Sequence, residues 1–429
     1  MAINNRPVLV YADARGTIFD WPELEMAGAA AGERRRLQPG DWISLPPGSE
    51  LFVLPGRLPV GYRPSLKRFE VLRRDPFDPA KPAQGVAAFI APAHTQIYSA
   101  AYKTLPGAPL LPLFAYTAVG WHQGAFVVSA VRVDPCERQD FIHFNQQQIA
   151  ANARHQMAVN HSNRLLQHLG HCALGYGCPA ARNYFLHRWE APLPTSPSCN
   201  SRCLGCISRQ EESAICATQE RIGFVPTPEE IAGVAVPHLK SAPEAIVSFG
   251  QGCEGEPLLQ AATLKEAIRL MRGATGRGTI NCNTNGSLPE QVKELAGAGL
   301  ESIRVSLNSA RPEYYNAYYR PRGYEFADLK RSIQLMKAHG GFASINYLVL
   351  PGLTDEEDEL AMLCRFIRET GLDLIQMRNL NIDPEWYLRS IGYRPAGKKI
   401  GIVRLMARLK ESFPGLRFGY FNPCLDRNA

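Results

Sequence analysis

The stretch SPSCNSRCLGCISRQ, residues 196–210, holds Cys199, Cys203 and Cys206 within eight positions. Thiolates separated by three and then two residues let one loop fold around a single inorganic centre. A structural zinc site needs a fourth Cys or His close by. The nearest are Cys216, ten residues on, and His187, twelve residues back, and neither has zinc-finger spacing. Three protein ligands with an open fourth position suit a catalytic iron–sulfur cluster instead.

Other residues with chemical potential follow in order. GQGCEGEPLL (250–259) surrounds Glu256 with Gly252 and Gly255. An acidic side chain in a dry cleft stabilises a bound cation, and glycines let the backbone approach a ligand that a Cβ would block. Cys253 in that run reads either as a small buried thiol or as a reactive group. NTNG (283–286) and SLNSA (306–310) place Asn283, Asn285, Ser306 and Asn308 at the ends of apolar runs. Short polar side chains there suit hydroxyls and carboxylates of a ligand, and read equally as turn or cap residues. Cys136, Cys172, Cys178 and Cys424 sit in Gly-, Pro- or Asp-containing loops. They read as ligands of a second 4Fe–4S cluster, with His171 as a substitute, or as unrelated buried thiols. His155, His161, His168 and His171 lie along one polar segment. His161 and His168, seven apart, share a face if that segment is one helix, for metal binding or proton transfer or as plain hydrogen-bonding residues.

These residues need elements to position them. Residues 1–140 show short apolar runs (RPVLVY, ELFVLP, GVAAFIAP, AFVVSAVRV) broken by Pro and Gly clusters, which predicts a mainly β accessory domain. Residues 141–171 predict one long polar helix ending near Gly170, between domains or lining a polar cavity, within a linker spanning 141–184. From 185 to 385, strand-like runs alternate with helix-like ones: YFLHRWEAP, AIVSFG, TINCNT, SIRVSLN, ASINYLVLPG and LDLIQMRNL are the strands. Six strand–helix repeats predict an α/β fold, a partial (β/α)6 TIM-like barrel. Residues 386–429 add a helix and a short strand, LRFGYF. In such a barrel active residues gather in loops after the strands, and the three cysteines follow the first.

Taken together, CNSRCLGC, GQGCEGEPLL, NTNG, SLNSA and YLVLPGLTD (347–355) resemble, in order, the motifs of the radical S-adenosylmethionine (radical SAM) superfamily over about residues 185–380. The resemblance implies a 4Fe–4S cluster on Cys199, Cys203 and Cys206. It implies SAM contacts from Gly252, Gly255, Glu256, Asn283, Asn285, Ser306 and Asn308, with Leu350 of the fifth-strand segment beside the adenine. It further implies reductive cleavage of SAM to a 5′-deoxyadenosyl radical that abstracts hydrogen from a substrate, with an electron donor such as flavodoxin or ferredoxin as partner. Where family members often carry an aromatic residue before the third cysteine, this chain has Gly205, so adenine contact passes to Leu204 or the fifth strand. The cysteines after the core, Cys364 and Cys424, are too few for the SPASM branch, and no cobalamin motif is present. The subfamily stays open.

The substrate also stays open. SARPEYYNAYYRPRGYEF (309–326) interleaves Tyr and Arg as a base-stacking surface would, and the large N-terminal addition favours modification of a macromolecule, RNA or protein. A small metabolite of cofactor or natural-product biosynthesis, and a non-catalytic iron–sulfur protein, are the alternatives. The chain has 429 residues, 45% hydrophobic and 20% charged, with net charge +7. That excludes a disordered polymer, and the modest charge does not demand an anionic partner. No run of ~18 apolar residues occurs, so no membrane-spanning helix is expected. The opening MAINNRPVLVYADARG lacks a basic and then apolar leader pattern. A cytoplasmic location is therefore expected, where clustered cysteines bind metal more often than they pair.

Overall fold

The computed structural model of the chain describes residues 6–208, 210 and 214–425. The alternating runs form β1 (Glu190–Pro192), β2 (Ile246–Phe249), β3 (Thr279–Thr284), β4 (Ser302–Leu307), β5 (Phe342–Val349), β6 (Leu374–Asn379) and β7 (Arg417–Gly419). They hydrogen-bond in that order into one parallel sheet. The expected partial barrel is present. Its sheet has seven strands rather than six, because LRFGYF pairs with β6 and so belongs to the barrel rather than to a separate extension.

Strand register explains the sheet's two faces. Ser248, Asn281, Ser302 and Asn283, Arg304, Ser344 lie in cross-strand rows, as do Ser306, Asn346 and Gln376. The residues between them, such as Cys282, Ile303, Val305, Ile345, Tyr347, Ile375 and Met377, are fully buried. Side chains alternate sides along a strand, so one face is apolar and carries the helices, and the other is a polar concave lining.

The helices are amphipathic by sequence. α1 (Gln146–Val159), α2 (Arg164–Leu174) and α3 (Pro179–Phe185) precede the barrel. The crossovers are α4 (Pro228–Ser241), α5 (Ala261–Ala274), α6 (Pro289–Ala298), α7 (Pro312–Tyr319), α8 (Phe326–Ala338) and α9 (Glu357–Thr370), followed by α10 (Pro384–Ser390) and α11 (Ile402–Ser412). α4 opens on a capping box between Thr227 and Glu230, which satisfies two end donors reciprocally. α9 ends on left-handed Gly371 and buries Leu360, Leu363, Phe366 and Ile367, each stabilising by about 1.5–3 kcal/mol.

The N-terminal region is mainly β, as expected. Its main antiparallel sheet includes Val8–Ala12, Ile18–Ala30, Arg57–Arg63 and Val119–His122, over a core of Val10, Val86, Ile90, Val119 and Val128. It docks on the C-terminal ends of β5 and β6. The Asn379 side chain accepts from the Gln96 N–H at 2.8 Å and donates to the His94 carbonyl at 3.0 Å, and Gln96 donates to the Val349 carbonyl at 3.2 Å. Arg57 and Asp383 form a buried ion pair at 2.8 Å.

Two local expectations are corrected. The single helix over 141–171 is two, α1 and α2, because the Asn163 side chain caps a new start by accepting from the Leu166 N–H. Gly170 does not end it. It lies inside α2, where a Cβ would meet the Met157 sulfur at 2.1 Å, so the glycine lets the two helices cross. The first strand does not run from Tyr184. Pro179–Phe185 is helical, and His187 and Trp189 take positive φ, turning the chain so that β1 starts at Glu190.

Candidate functional site

Cys199, Cys203 and Cys206 occupy the loop after β1, each half-buried. Burial, and then the Glu256 charge, pushes the Cys199 thiol up to about 11, and burial, and then the Cys206 and Cys199 sulfurs, pushes Cys203 well above the usual thiol range. Cys199 and Cys203 held this way are neutral alone and become strong ligands when a cationic centre draws off their protons.

The loop is braced from two sides. On one, the Arg202 and Leu204 N–H groups donate to the Tyr319 and Tyr318 carbonyls, both at 3.0 Å, closing the end of α7. The Tyr-rich stretch is this buried helix: Tyr314, Tyr315, Tyr318 and Tyr319 are all core residues. They pack behind the cysteine loop and present no base-stacking surface, which corrects that reading. A chain of hydroxyls runs Tyr315–Tyr324–Ser201, at 3.0 and 2.7 Å, to the Asn285 amide at 3.0 Å.

On the other side lies the loop after β2. The Gly255 N–H donates to Ser196 O at 2.6 Å and the Glu256 N–H to Ser198 O at 2.8 Å. Glu254 accepts from Thr195 N–H (2.7 Å), Thr195 Oγ1 (3.1 Å), Ser196 N–H (3.0 Å), Gln251 N–H (3.0 Å) and Gly250 N–H. The chain's sequence motif drew attention to Glu256 alone, yet Glu254 ties the cysteine loop to the β2 loop. Glu256 accepts from Asn285 N–H (2.8 Å), Leu258 N–H (3.1 Å) and the Thr284 hydroxyl. Burial raises both carboxyls to about 7 against these hydrogen bonds. A cation bound beside Glu256 would restore its charge.

The remaining expected contacts divide. Asn283 lies on the concave face and its Nδ2 is buried without a partner, a donor oriented for a ligand. Asn308 spends its Nδ2 on Tyr314 O and Tyr387 OH, both at 3.1 Å, and leaves Oδ1 unpaired. Asn285 is consumed internally, donating to Asn200 Oδ1 at 2.7 Å and to Ser201. Ser306 is half-buried on the concave face, Leu350 is buried past the end of β5, and Gly252 lies against the Ile207 side chain.

The concave face holds residues the motif reading missed. Arg304 donates to Gln376 Oε1 at 2.9 Å and Arg378 to the Tyr420 carbonyl at 3.3 Å. Among the described residues neither pairs with a carboxylate within 4.0 Å. Burial, and then Arg378, lowers Arg304 to about 10. The signal was the period-2 alternation of SIRVSLN and LIQMRN, which marks a polar inward row.

The proposed second cysteine set is not brought together. The Cys424 sulfur lies against the Ala245 carbonyl and Thr279 hydroxyl, where β2 and β3 begin. Cys136 takes the Arg138 Nε at 2.8 Å, and Arg138 pairs with Glu244 at that same end. Cys172 instead meets Cys253, past the other end of β2, with Cys178 following it in the chain. His161 is exposed in the turn between α1 and α2 and shares no face with His168. The polar helix does line a cavity, of about 370 Å³, with His155, Asn152, His187 and His238 on its wall.

Residues 193–364 match the Radical SAM superfamily. The FeMo cofactor biosynthesis protein NifB of Azotobacter vinelandii is 25% identical over 224 residues, 48% of this chain and 42% of that protein. The GTP 3′,8-cyclase of Aquifex aeolicus is 31% identical over 177 residues, 41% and 52%. A radical SAM methyltransferase structure from Sphaerobacter thermophilus is 16% identical, with a TM-score of 0.37, over 54% of this chain and 65% of that one. The chain spans about half the length of the two named relatives it matches. No helix among the described residues is long and apolar enough to cross a membrane.

Proposed function

We propose that this chain, whose residues 193–364 form a radical SAM domain, is a radical SAM enzyme that acts on a small anionic molecule. Cys199, Cys203 and Cys206 would hold the 4Fe–4S cluster. Glu256 and Asn283 would bind SAM, with the rest of the concave face left for substrate. The donor set fits this: three thiols in one loop, a carboxyl raised by burial, and an unpartnered buried amide donor. Bound there, cluster and SAM would supply the one-electron chemistry that removes a hydrogen atom from the substrate, with methionine and 5′-deoxyadenosine as the released products. The electron comes from a donor of the flavodoxin or ferredoxin class.

The observation that carries the substrate class is the pair Arg304 and Arg378. Two guanidiniums inside a barrel, with no carboxylate within 4.0 Å among the described residues, are costly, and a carboxylate or phosphate on a ligand would offset that cost with charge-assisted hydrogen bonds. The N-terminal region supports a small substrate, since it covers the ends of β5 and β6 where a macromolecule would enter. The relatives' printed names, a GTP cyclase and a cofactor biosynthesis protein, agree with that class.

The test uses reduced, anaerobic full-length protein with SAM and a cell extract grown in deuterated medium. The extract is split into small-molecule, RNA and protein fractions. Deuterium in the released 5′-deoxyadenosine is expected with the small-molecule fraction. Deuterium only with RNA or protein sinks the substrate class, and no 5′-deoxyadenosine at all returns the chain to an iron–sulfur binding role.

A further inference from the structure

His168, Cys172 and Cys253 converge from two distant parts of the chain. His168 and Cys172 lie one turn apart on α2, spacing that puts both on one face. Cys253 comes from the loop after β2. One ligand atom of each lies within 4.8 Å of the other two, and Cys172 and Cys253 are buried. His168 Nε2 is 3.5 Å from Cys172 Sγ. An ion bound tetrahedrally at ~2.0 Å to nitrogen and ~2.3 Å to sulfur sets those two atoms about 3.5 Å apart. Among the described residues this is the one triad of potential ligands so close together. Cys199, Cys203 and Cys206 are spread more widely, as thiols bound to different iron corners of a cluster must be.

We propose that His168, Cys172 and Cys253 bind a single soft divalent transition-metal ion, zinc by its donor set, as a second metal centre. The fourth position falls to Cys178, whose sulfur lies outside the triad's 4.8 Å spread. It opens α3, and its N–H is bonded to the Cys172 carbonyl at 3.0 Å, so a turn of its side chain would bring it to the ion. Two or three thiolates with one imidazole are a soft set that selects zinc over hard cations. With Cys178 turned in, four protein ligands would close the site and make it structural. It fastens α2 to the loop that carries Glu254 and Glu256, and gives Cys253 a role. The ion enters as a divalent cation and displaces thiol protons to solvent, with no redox change. The site does not depend on the reaction proposed above.

The test starts from the full chain carrying Cys199→Ala, Cys203→Ala and Cys206→Ala, which removes the other metal site. Elemental analysis is expected to find about one zinc per chain, falling to background when Cys253→Ala or His168→Ala is added. To separate loss of the site from loss of the fold, the same triple variant, stripped with a chelator, is titrated with cobalt(II). A thiolate-to-cobalt charge-transfer band with intense tetrahedral d–d absorption, saturating at one equivalent, is the expected second signature. Iron with acid-labile sulfide in the triple variant overturns the single-ion assignment. A Cys172–Cys253 disulfide in non-reducing peptide maps, or no metal and no cobalt band, overturns the site.

Discussion

The backbone of Gly255 passes so close to the Ser198 carbonyl that a Cβ at position 255 would lie 1.8 Å from its oxygen. The contact joins the loop that carries the three cysteines to the one that carries Glu256. Gly255→Ala should force the two apart. Overpacking of this kind costs about 1–3 kcal/mol, seen as a lower denaturant midpoint. Iron bound per chain should fall in the same variant, while a surface change such as Glu266→Ala leaves both unchanged.

The Arg57–Asp383 pair is buried on both sides and also takes the Leu111 N–H at 3.2 Å. Removing one partner strands the other charge, so Asp383→Ala should destabilise by about 3–5 kcal/mol. The double variant Arg57→Met/Asp383→Leu should recover most of that loss. A cycle of urea unfolding curves over both single variants and the double reads both numbers, and strictly additive losses would show the pair to be inert.

His238 donates from Nε2 to the Trp189 carbonyl at 2.6 Å, and its Nδ1 has no partner. Burial lowers its pKa to about 4. Its folded value is depressed, so the unfolded chain takes up the proton first as pH falls. The neutral ring's contribution is full above about 6.5 and is lost between there and about 4, by at most about 3 kcal/mol. Stability of wild type measured against pH should fall over that window, and His238→Gln should flatten the slope.

Arg304→Met should leave SAM cleavage in place and remove its dependence on substrate. The neutral side chain keeps the packing and loses the charge. Product analysis would then show 5′-deoxyadenosine formed at a background rate, with deuterium transfer from labelled substrate down by at least about tenfold, the loss of one charge-assisted hydrogen bond. Unchanged transfer would remove Arg304 from substrate binding.

Much of this site was legible because its signals are local. The spacing of Cys199, Cys203 and Cys206, the glycines beside Glu256 and the polar ends of β3 and β4 are all short-range patterns. β3 in particular runs over TINCNT, the expected strand. What escaped the sequence depends on contacts between distant segments. Glu254 became important only when Thr195 and Ser196 folded onto it. Cys253 met Cys172 across 81 positions, which no spacing rule reports. Arg304 and Arg378 show as alternation, but the apolar residues of the same runs mark the outward row more strongly than the polar ones mark the inward row. The polar stretch 141–171 divides where its pattern predicts one helix, because Asn163 can sit in a helix or start one, and its cap bond decides.

The Arg57–Asp383 pair also bears on how the chain is made. The two residues are 326 positions apart. At about 5–20 residues per second the ribosome leaves Arg57 waiting roughly 16–65 s for its partner. During that interval the N-terminal sheet is synthesised and compact, but the surface destined for β5 and β6 is bare, with Gln96 and His94 still bonded to water. The half-made protein therefore carries an open, partly cationic face until residues 342–383 emerge to cover it. Truncation before Asp383 should consequently yield a species held by chaperones, however complete its first domain.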